Sequence, residues 1–205
     1  MKKSLVTLFV AGGVAFAAVA HEQVFDFKDP KGVNNVVFKL DAPLEAINGS
    51  ANGVSGTVTF DSHNPAATKG KIVVASKSLT VGNSVMQEHM HSEGWLDVAK
   101  YPEIFFEVKQ LKNVKTEGNV TTADAVGTFS LKGVQKEITA PVKITYLPGK
   151  LADRSGGQMK GDLLVIRSNF SIKRADFNIK PGQNEDKVAN EIELSLSVAG
   201  VSPQK

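Results

Sequence analysis

Apolar and polar residues alternate along most of this chain. From Val33 to Leu40, Val36, Phe38 and Leu40 share one face while Val37, Lys39 and Asp41 take the other. The run from Gly53 to Asp61 sets Val54, Val58 and Phe60 against Ser55, Thr57, Thr59 and Asp61. From Glu137 to Leu147, Ile138, Ala140, Val142, Ile144 and Tyr146 face inward, with Lys143 and Thr145 outward. From Val188 to Val198, Ile192, Leu194, Leu196 and Val198 oppose Glu191, Glu193, Ser195 and Ser197. Ile104 to Leu111 alternates in the same way. Val24 to Lys28, Lys71 to Leu79, Thr122 to Leu131 and Asp162 to Ile172 complete the set, the last ambiguous in phase. A period of two marks strands with one dry and one wet face.

Turn-forming pairs separate these runs, among them Asn48-Gly49, Asn52-Gly53, Lys132-Gly133, Pro148-Gly149 and Pro181-Gly182. Eight or more antiparallel strands on one chain predict a sandwich or a closed barrel. Strands of nine or ten residues at roughly 3.3 Å each make a wall roughly 30 Å long. A barrel of eight strands holds either its own side chains or one small ligand. Small residues assigned to the inward faces (Gly56, Ala75, Gly127, Ala140) leave room for a hollow, but they equally suit a tapering packed core.

One stretch breaks the alternation. Gly82 to Val108 carries the only Trp, two of the four His and two of the four Met. Its first part predicts a helical turn, and WLDVAKYPEI then leads into an aromatic strand. A helix set between strands of a closed sheet shapes the mouth of a cavity, which places binding ahead of catalysis.

The first twenty residues read as a cleaved signal peptide: Lys2 and Lys3, an apolar run from Leu5 to Val19, and Ala18-Val19-Ala20 as the cleavage site. The apolar run is short and rich in Ala and Gly, and no basic stop-transfer flank follows it, so no stable membrane insertion is expected after cleavage. Residues 21–205 then form a single domain that begins at His21. The compartment expected is the periplasm. With no Cys, neither disulfides nor a lipid anchor on Cys can form. The chain has 24 basic and 21 acidic residues. Removal of Lys2 and Lys3 lowers the formal charge from +3 to +1, and the remaining charges are interspersed, so nucleic acid is not an expected partner.

Three blocks occur in order: GVSGTVTFDSHNPAATKGKI, then HMHSEGWLDVAKYP, then GTFSLKGVQK, followed by the ADFNI segment. Together they resemble the YceI-like family of periplasmic lipid- and polyisoprenoid-binding proteins, over about Val33 to Val198. The resemblance implies an all-β fold: an extended lipocalin-like eight-stranded antiparallel barrel with a short helical insert. It implies an isoprenoid (quinone-like) or other long-chain lipid as partner, held in an apolar tunnel, and a possible homodimer. Two positions depart from the family's pattern. Met86 and Gln87 stand where an Arg-Asp pair is common, and Asn178 replaces Gly in Asp176-Phe177-Asn178-Ile179. Asn tolerates the left-handed backbone that Gly adopts there.

The candidate lining is Val36, Phe38, Val58, Phe60, Ile72, Val74, Trp95, Ile104, Phe106, Phe129, Ile144, Phe170 and Leu194, with His89 on the insert. Trp95 and Tyr101 either bond a head group or pin the insert to the rim. Met86, His89 and Met90 share a helix side and offer soft donors for copper; the alternative is that the two Met pack on the barrel and His91 is solvated. No cofactor or metal is expected. No nucleophile elbow, H-E-x-x-H, Walker loop or dinucleotide fingerprint is present, so the chain is expected not to be an enzyme. A lipid-modifying enzyme using the same pocket is the remaining rival.

Overall fold

The structure, a computed structural model, describes residues 22–204. The expected signal peptide, and His21 after it, lie outside the described residues. These form eleven strands in one sheet: β1 (Gln23–Asp26), β2 (Asn35–Asp41), β3 (Ala46–Ala51), β4 (Val54–Phe60), β5 (Lys69–Ala75), β6 (Leu79–Val81), β7 (Glu103–Glu117), β8 (Val120–Leu131), β9 (Val134–Leu147), β10 (Gly161–Lys173) and β11 (Glu191–Pro203). Helix α1 (Ser84–His91) sits between β6 and β7, and α2 (Leu151–Ser155) between β9 and β10.

Eight strands close on themselves in the order β1-β4-β5-β7-β8-β9-β10-β11, because β1 pairs with both β4 and β11. Closure leaves no bare edge around that ring. The remaining three extend from β11 as a flap, β2-β3-β6. On its side away from β10, strand β11 therefore serves two neighbours: residues 193–197 pair with β2, and Val201 pairs with Asp26 of β1. The long β7–β8 pair bends at two register shifts, after Val108 and after Lys112. Bulges of this kind let a sheet curl into a barrel.

One turn expected from the sequence lies elsewhere. Asn48-Gly49 lies inside β3, paired to Lys39 and Phe38. The Phe38 ring lies across Gly49, where any side chain would collide with it. Glycine there makes room for a ring and does not turn the chain. Of the four small inward residues, only Ala140 widens the interior. Ala75 is exposed. Gly56 (φ +109°) lets the backbone approach the Lys71 carbonyl, and Gly127 is covered by the Phe106 ring.

The interior divides along the barrel axis. One end is packed solid around Phe25, Phe27, Phe60, Leu164 and Val198, all nearly inaccessible to solvent. Tyr146 packs edge-on to Phe25, with ring centroids 6.2 Å apart, and lies 6.1 Å from Phe60. Gly200 gives Phe27 its place, since a side chain there would strike the ring. At the other end Phe129, Leu131, Ile172, Phe177 and Ile179 form a second cluster beside α1 and the loop after it. Here β9 and β10 stop pairing beyond Val142 and Ser168. Pro141 has no N–H to continue the ladder, and its carbonyl accepts the Ser168 hydroxyl at 2.6 Å. The Phe177 ring closes against Phe129, 5.5 Å away.

Candidate functional site

Between the two clusters lies a cavity of about 700 Å³. Strands from all round the barrel supply its wall: Val36 and Phe38 from β2, Val58 from β4, Ile72 and Val74 from β5, Ile104 and Phe106 from β7, Phe129 from β8, Ile144 from β9, Phe170 from β10 and Leu194 from β11. His89 and Trp95 join them from the insert. Phe60, expected in this lining, does not reach it. It packs into the other cluster with Val54, and of the β4 residues only Val58 reaches the cavity.

Sequence reasoning missed other wall residues. Ile192 and Leu196 flank Leu194 on the same face, and Val142 flanks Ile144. Their period-two phase had already placed them inward. Arg174 also meets the cavity, and nothing in the pattern around it marks a basic residue after a strand as buried.

Arg174 is only 1% exposed. Its guanidinium donates to five carbonyls: Nε to Ala189 at 3.2 Å, Nη1 to Ile179 at 2.8 Å and to Lys180, Nη2 to Val188 at 3.0 Å and to Gln183. All five donors are used, so the side chain ties the segment from Ile179 to Ala189 into one unit at the mouth. Burial pushes its pKa down from the ordinary arginine value. Asn178 supports the turn that brings those carbonyls round; it is left-handed, φ 54° and ψ 31°, as its substitution for glycine predicts.

The Trp95 ring lies under two cations, the Arg174 guanidinium at 5.8 Å and the Lys180 ammonium at 5.2 Å. Trp95 is thereby fixed at the rim by stacking. Helix α1 begins at Asn83, whose side chain accepts the Met86 N–H at 2.9 Å. It is held to the flap by His91, whose Nε2 lies 2.8 Å from the Leu79 carbonyl. The expectation of a solvated His91 is thus corrected: His91 is half-buried and anchors the helix. Met86, His89 and Met90 all border the cavity. Tyr101 lies outside the cavity wall, against Gly133.

Polar groups on the wall are few. Thr68 and Ser168 lie along its length, while Glu45, Asn83, His89, Asn184 and Lys187 gather with α1 near the open end. Val85 of α1, which borders the cavity, is 58% exposed. The packed end is different in character. There the Tyr146 hydroxyl donates to Asp162 at 2.7 Å, and the Gly149 N–H reaches the same carboxylate at 2.8 Å. Burial pushes the Asp162 pKa up, but these two donors outweigh it and hold the carboxyl low. Burial and the neighbouring carboxylate push the Tyr146 hydroxyl up.

A closed antiparallel barrel, plugged at one end and hollow at the other, defines a lipocalin-like architecture. The chain belongs to the YceI-like family, whose domain model matches residues 23–199. A UPF0312 protein of Yersinia pestis is 34% identical over 153 residues, which cover 75% of this chain and 72% of that protein. Among solved structures, Burkholderia cenocepacia BcnA superposes with a TM-score of 0.66 at 18% identity, covering 81% of this chain and 95% of that one. A polyisoprenoid binding domain from Saccharophagus degradans superposes with a TM-score of 0.62 at 12% identity, covering 90% and 99%. At these identities the two structures establish the shared fold.

Proposed function

We propose that this protein is a binding protein, exported to the periplasm, that holds the hydrocarbon tail of an isoprenoid or similar long-chain amphiphile inside its barrel. The observation that carries this reading is the cavity of about 700 Å³ with a wall almost wholly of aliphatic and aromatic side chains. It falls within the range of about 300–1,000 Å³ of pockets that bury a small ligand. Burying about 400 Å² of tail at about 25 cal/mol per Å² contributes roughly 10 kcal/mol gross. Association costs of about 4–15 kcal/mol offset much of this, so a preformed hollow is what leaves a useful surplus. The polar groups near the open end suit an amphiphile whose head stays at the mouth, and a quinone-like ring is one such head. Holding a tail requires no reacting group, which favours a binder over an enzyme. Membership of the YceI-like family and the likeness to a polyisoprenoid binding domain point the same way.

Extraction of the purified protein into organic solvent, followed by mass spectrometry, tests the reading. A stoichiometric long-chain lipid is expected. A protein that yields none, and takes up none when offered isoprenoid quinones or polyprenols, rules it out.

A further inference from the structure

Met86, Met90 and Met159 are the methionines among the described residues, and the first two stand on the cavity wall. Both come from α1. At about 3.6 residues per turn, Met86, His89 and Met90 fall on one side of that helix, and Gln87 and His91 on another. The second side fastens the helix. Strand β6 is the last of the flap, so one of its edges has no strand beside it. On that strand the Val81 N–H donates to Gln87 Oε1 at 3.4 Å, and the Leu79 carbonyl lies 2.8 Å from His91 Nε2. The backbone at the end of the helix is held as well, because the Met90 carbonyl accepts the Leu96 N–H at 3.1 Å. The two methionine side chains take no part in this attachment; they are wall.

A thioether is apolar and flexible, which suits a wall that must follow a hydrocarbon chain. It is also open to oxidation, unlike the aliphatic side chains beside it. A hydroperoxide passes one oxygen to the sulfur. A sulfur lone pair forms the S–O bond, the O–O bond breaks, and the proton on the transferred oxygen goes to the departing one, so hydrogen peroxide leaves as water. The product, methionine sulfoxide, is polar and disrupts interfaces that methionine builds. Its oxygen then stands in a wall almost wholly of aliphatic and aromatic groups, where an unpaired polar group is unfavourable. Met86 and Met90 are half-buried, so a small oxidant entering the mouth reaches both. The chain has no Cys to consume the oxidant first.

We propose that Met86 and Met90 are sites of reversible oxidation by peroxides, and that their conversion to sulfoxides releases the lipid from the cavity; this rests on the lipid reading above. Oxidation alters the face of α1 that meets the tail and leaves the Gln87 and His91 fastenings as they are. The helix stays in place while its inner surface turns polar. Met159 supplies the contrast. It is 45% exposed, lies between α2 and β10, and is not part of the cavity wall, so an oxygen added there does not affect the cargo.

The test treats the purified protein with hydrogen peroxide at neutral pH. Peptide mass spectrometry counts the oxygen gained at each Met, solvent extraction measures the lipid kept, and titration with a polyprenol gives the affinity. Once Met86 and Met90 carry oxygen, the affinity is expected to fall about tenfold or more, with the circular dichroism unchanged. Methionine sulfoxide reductases acting on both epimers restore it. Met159→Leu responds to peroxide as the parent does. In the double variant Met86→Leu, Met90→Leu no sulfur remains on the wall, and whatever polyprenol it binds is bound equally before and after peroxide. Lipid held unchanged by protein bearing both sulfoxides overturns the proposal. So does a double variant that responds like the parent, or a peroxide treatment that oxidises Met159 and spares the pair. Untreated protein that neither yields nor takes up lipid ends the lipid reading itself, and this proposal with it.

Discussion

The side-chain amide of Asn34 stands in for a strand beside Ala199. Its Oδ1 accepts the Ala199 N–H at 2.8 Å, and its Nδ2 donates to the Ala199 carbonyl at 3.1 Å and to the Phe27 carbonyl at 3.0 Å. This is the point at which β11 passes from one neighbour to the other, so no backbone is available there to complete the ladder. Asn34 is buried. Each backbone group left buried without a partner costs about 1–3 kcal/mol. Asn34→Ala orphans three of them, so urea denaturation should show a loss of at least about 3 kcal/mol. The Ala199 amide should also lose most of its protection from hydrogen exchange. A loss below half that size would mean that water fills the gap.

Asp29 contributes to the acid limb of stability. Burial alone would raise its pKa; the N–H groups of Asn34, Lys31 and Val33, with the Arg154 guanidinium at 3.3 Å, outweigh burial and hold it below the ordinary 3.8. A carboxyl with a depressed folded pKa binds fewer protons folded than unfolded. Its contribution is complete above the unfolded value and is lost as pH falls through the folded one. Asp29→Asn should therefore be less stable at neutral pH and show a shallower decline below about pH 4 than the parent. Urea midpoints measured between pH 7 and pH 2.5 check both halves of this statement.

Ala140 distinguishes a hollow from a filled barrel. It is buried and faces the cavity. In a packed core, added methylenes cost about 1–3 kcal/mol. Here Ala140→Leu should extend into open space, with little change in stability and a measurable drop in retained lipid. A large loss of stability with lipid retention intact is the contrary result.

Phe60 is expected to behave in the opposite way. Truncating a buried Phe costs about 3–5 kcal/mol. Phe60→Ala should fall in that range by chemical denaturation, yet the folded fraction should retain its lipid. Phe106→Asp should abolish retention, because its ring forms the wall itself. Circular dichroism establishes that this variant is folded.

Asn178 offers a smaller test. A residue without its local hydrogen bonding pays roughly 1–2 kcal/mol in the left-handed region. Asn178→Ala should lose about that much, whereas Asn178→Gly should be close to neutral.

How much of this could be read from the chain depends on the residue. The alternation of Val36-Phe38-Leu40 and of Ile192-Leu194-Leu196-Val198 assigned faces correctly, because a strand exposed to water on one side has no other way to bury its side chains. The alternation carries no information about depth. Phe60 and Phe106 occupy equivalent phases in strands of the same sheet, and one fills the barrel while the other bounds a void. Which of these a Phe does depends on the end of the barrel it faces, and that follows from long-range pairing. Gly49 misled for a related reason: a glycine covered by the Phe38 ring looks in sequence like a glycine in a turn. Arg174 was invisible because its acceptors are backbone carbonyls, and those leave no mark on composition. The helical insert was legible since it breaks the period of two just before the Trp95 segment and the aromatic strand β7. Its attachment through His91 was not, because Leu79 contributes only a carbonyl.

The aromatic plug around Phe25 and Phe60 makes the barrel a blind alley. Whatever slides in must back out along the same line, last atom in being first atom out. If the proposed function holds, an amphiphile leaving this barrel would have to leave head first, past Trp95 and Lys187.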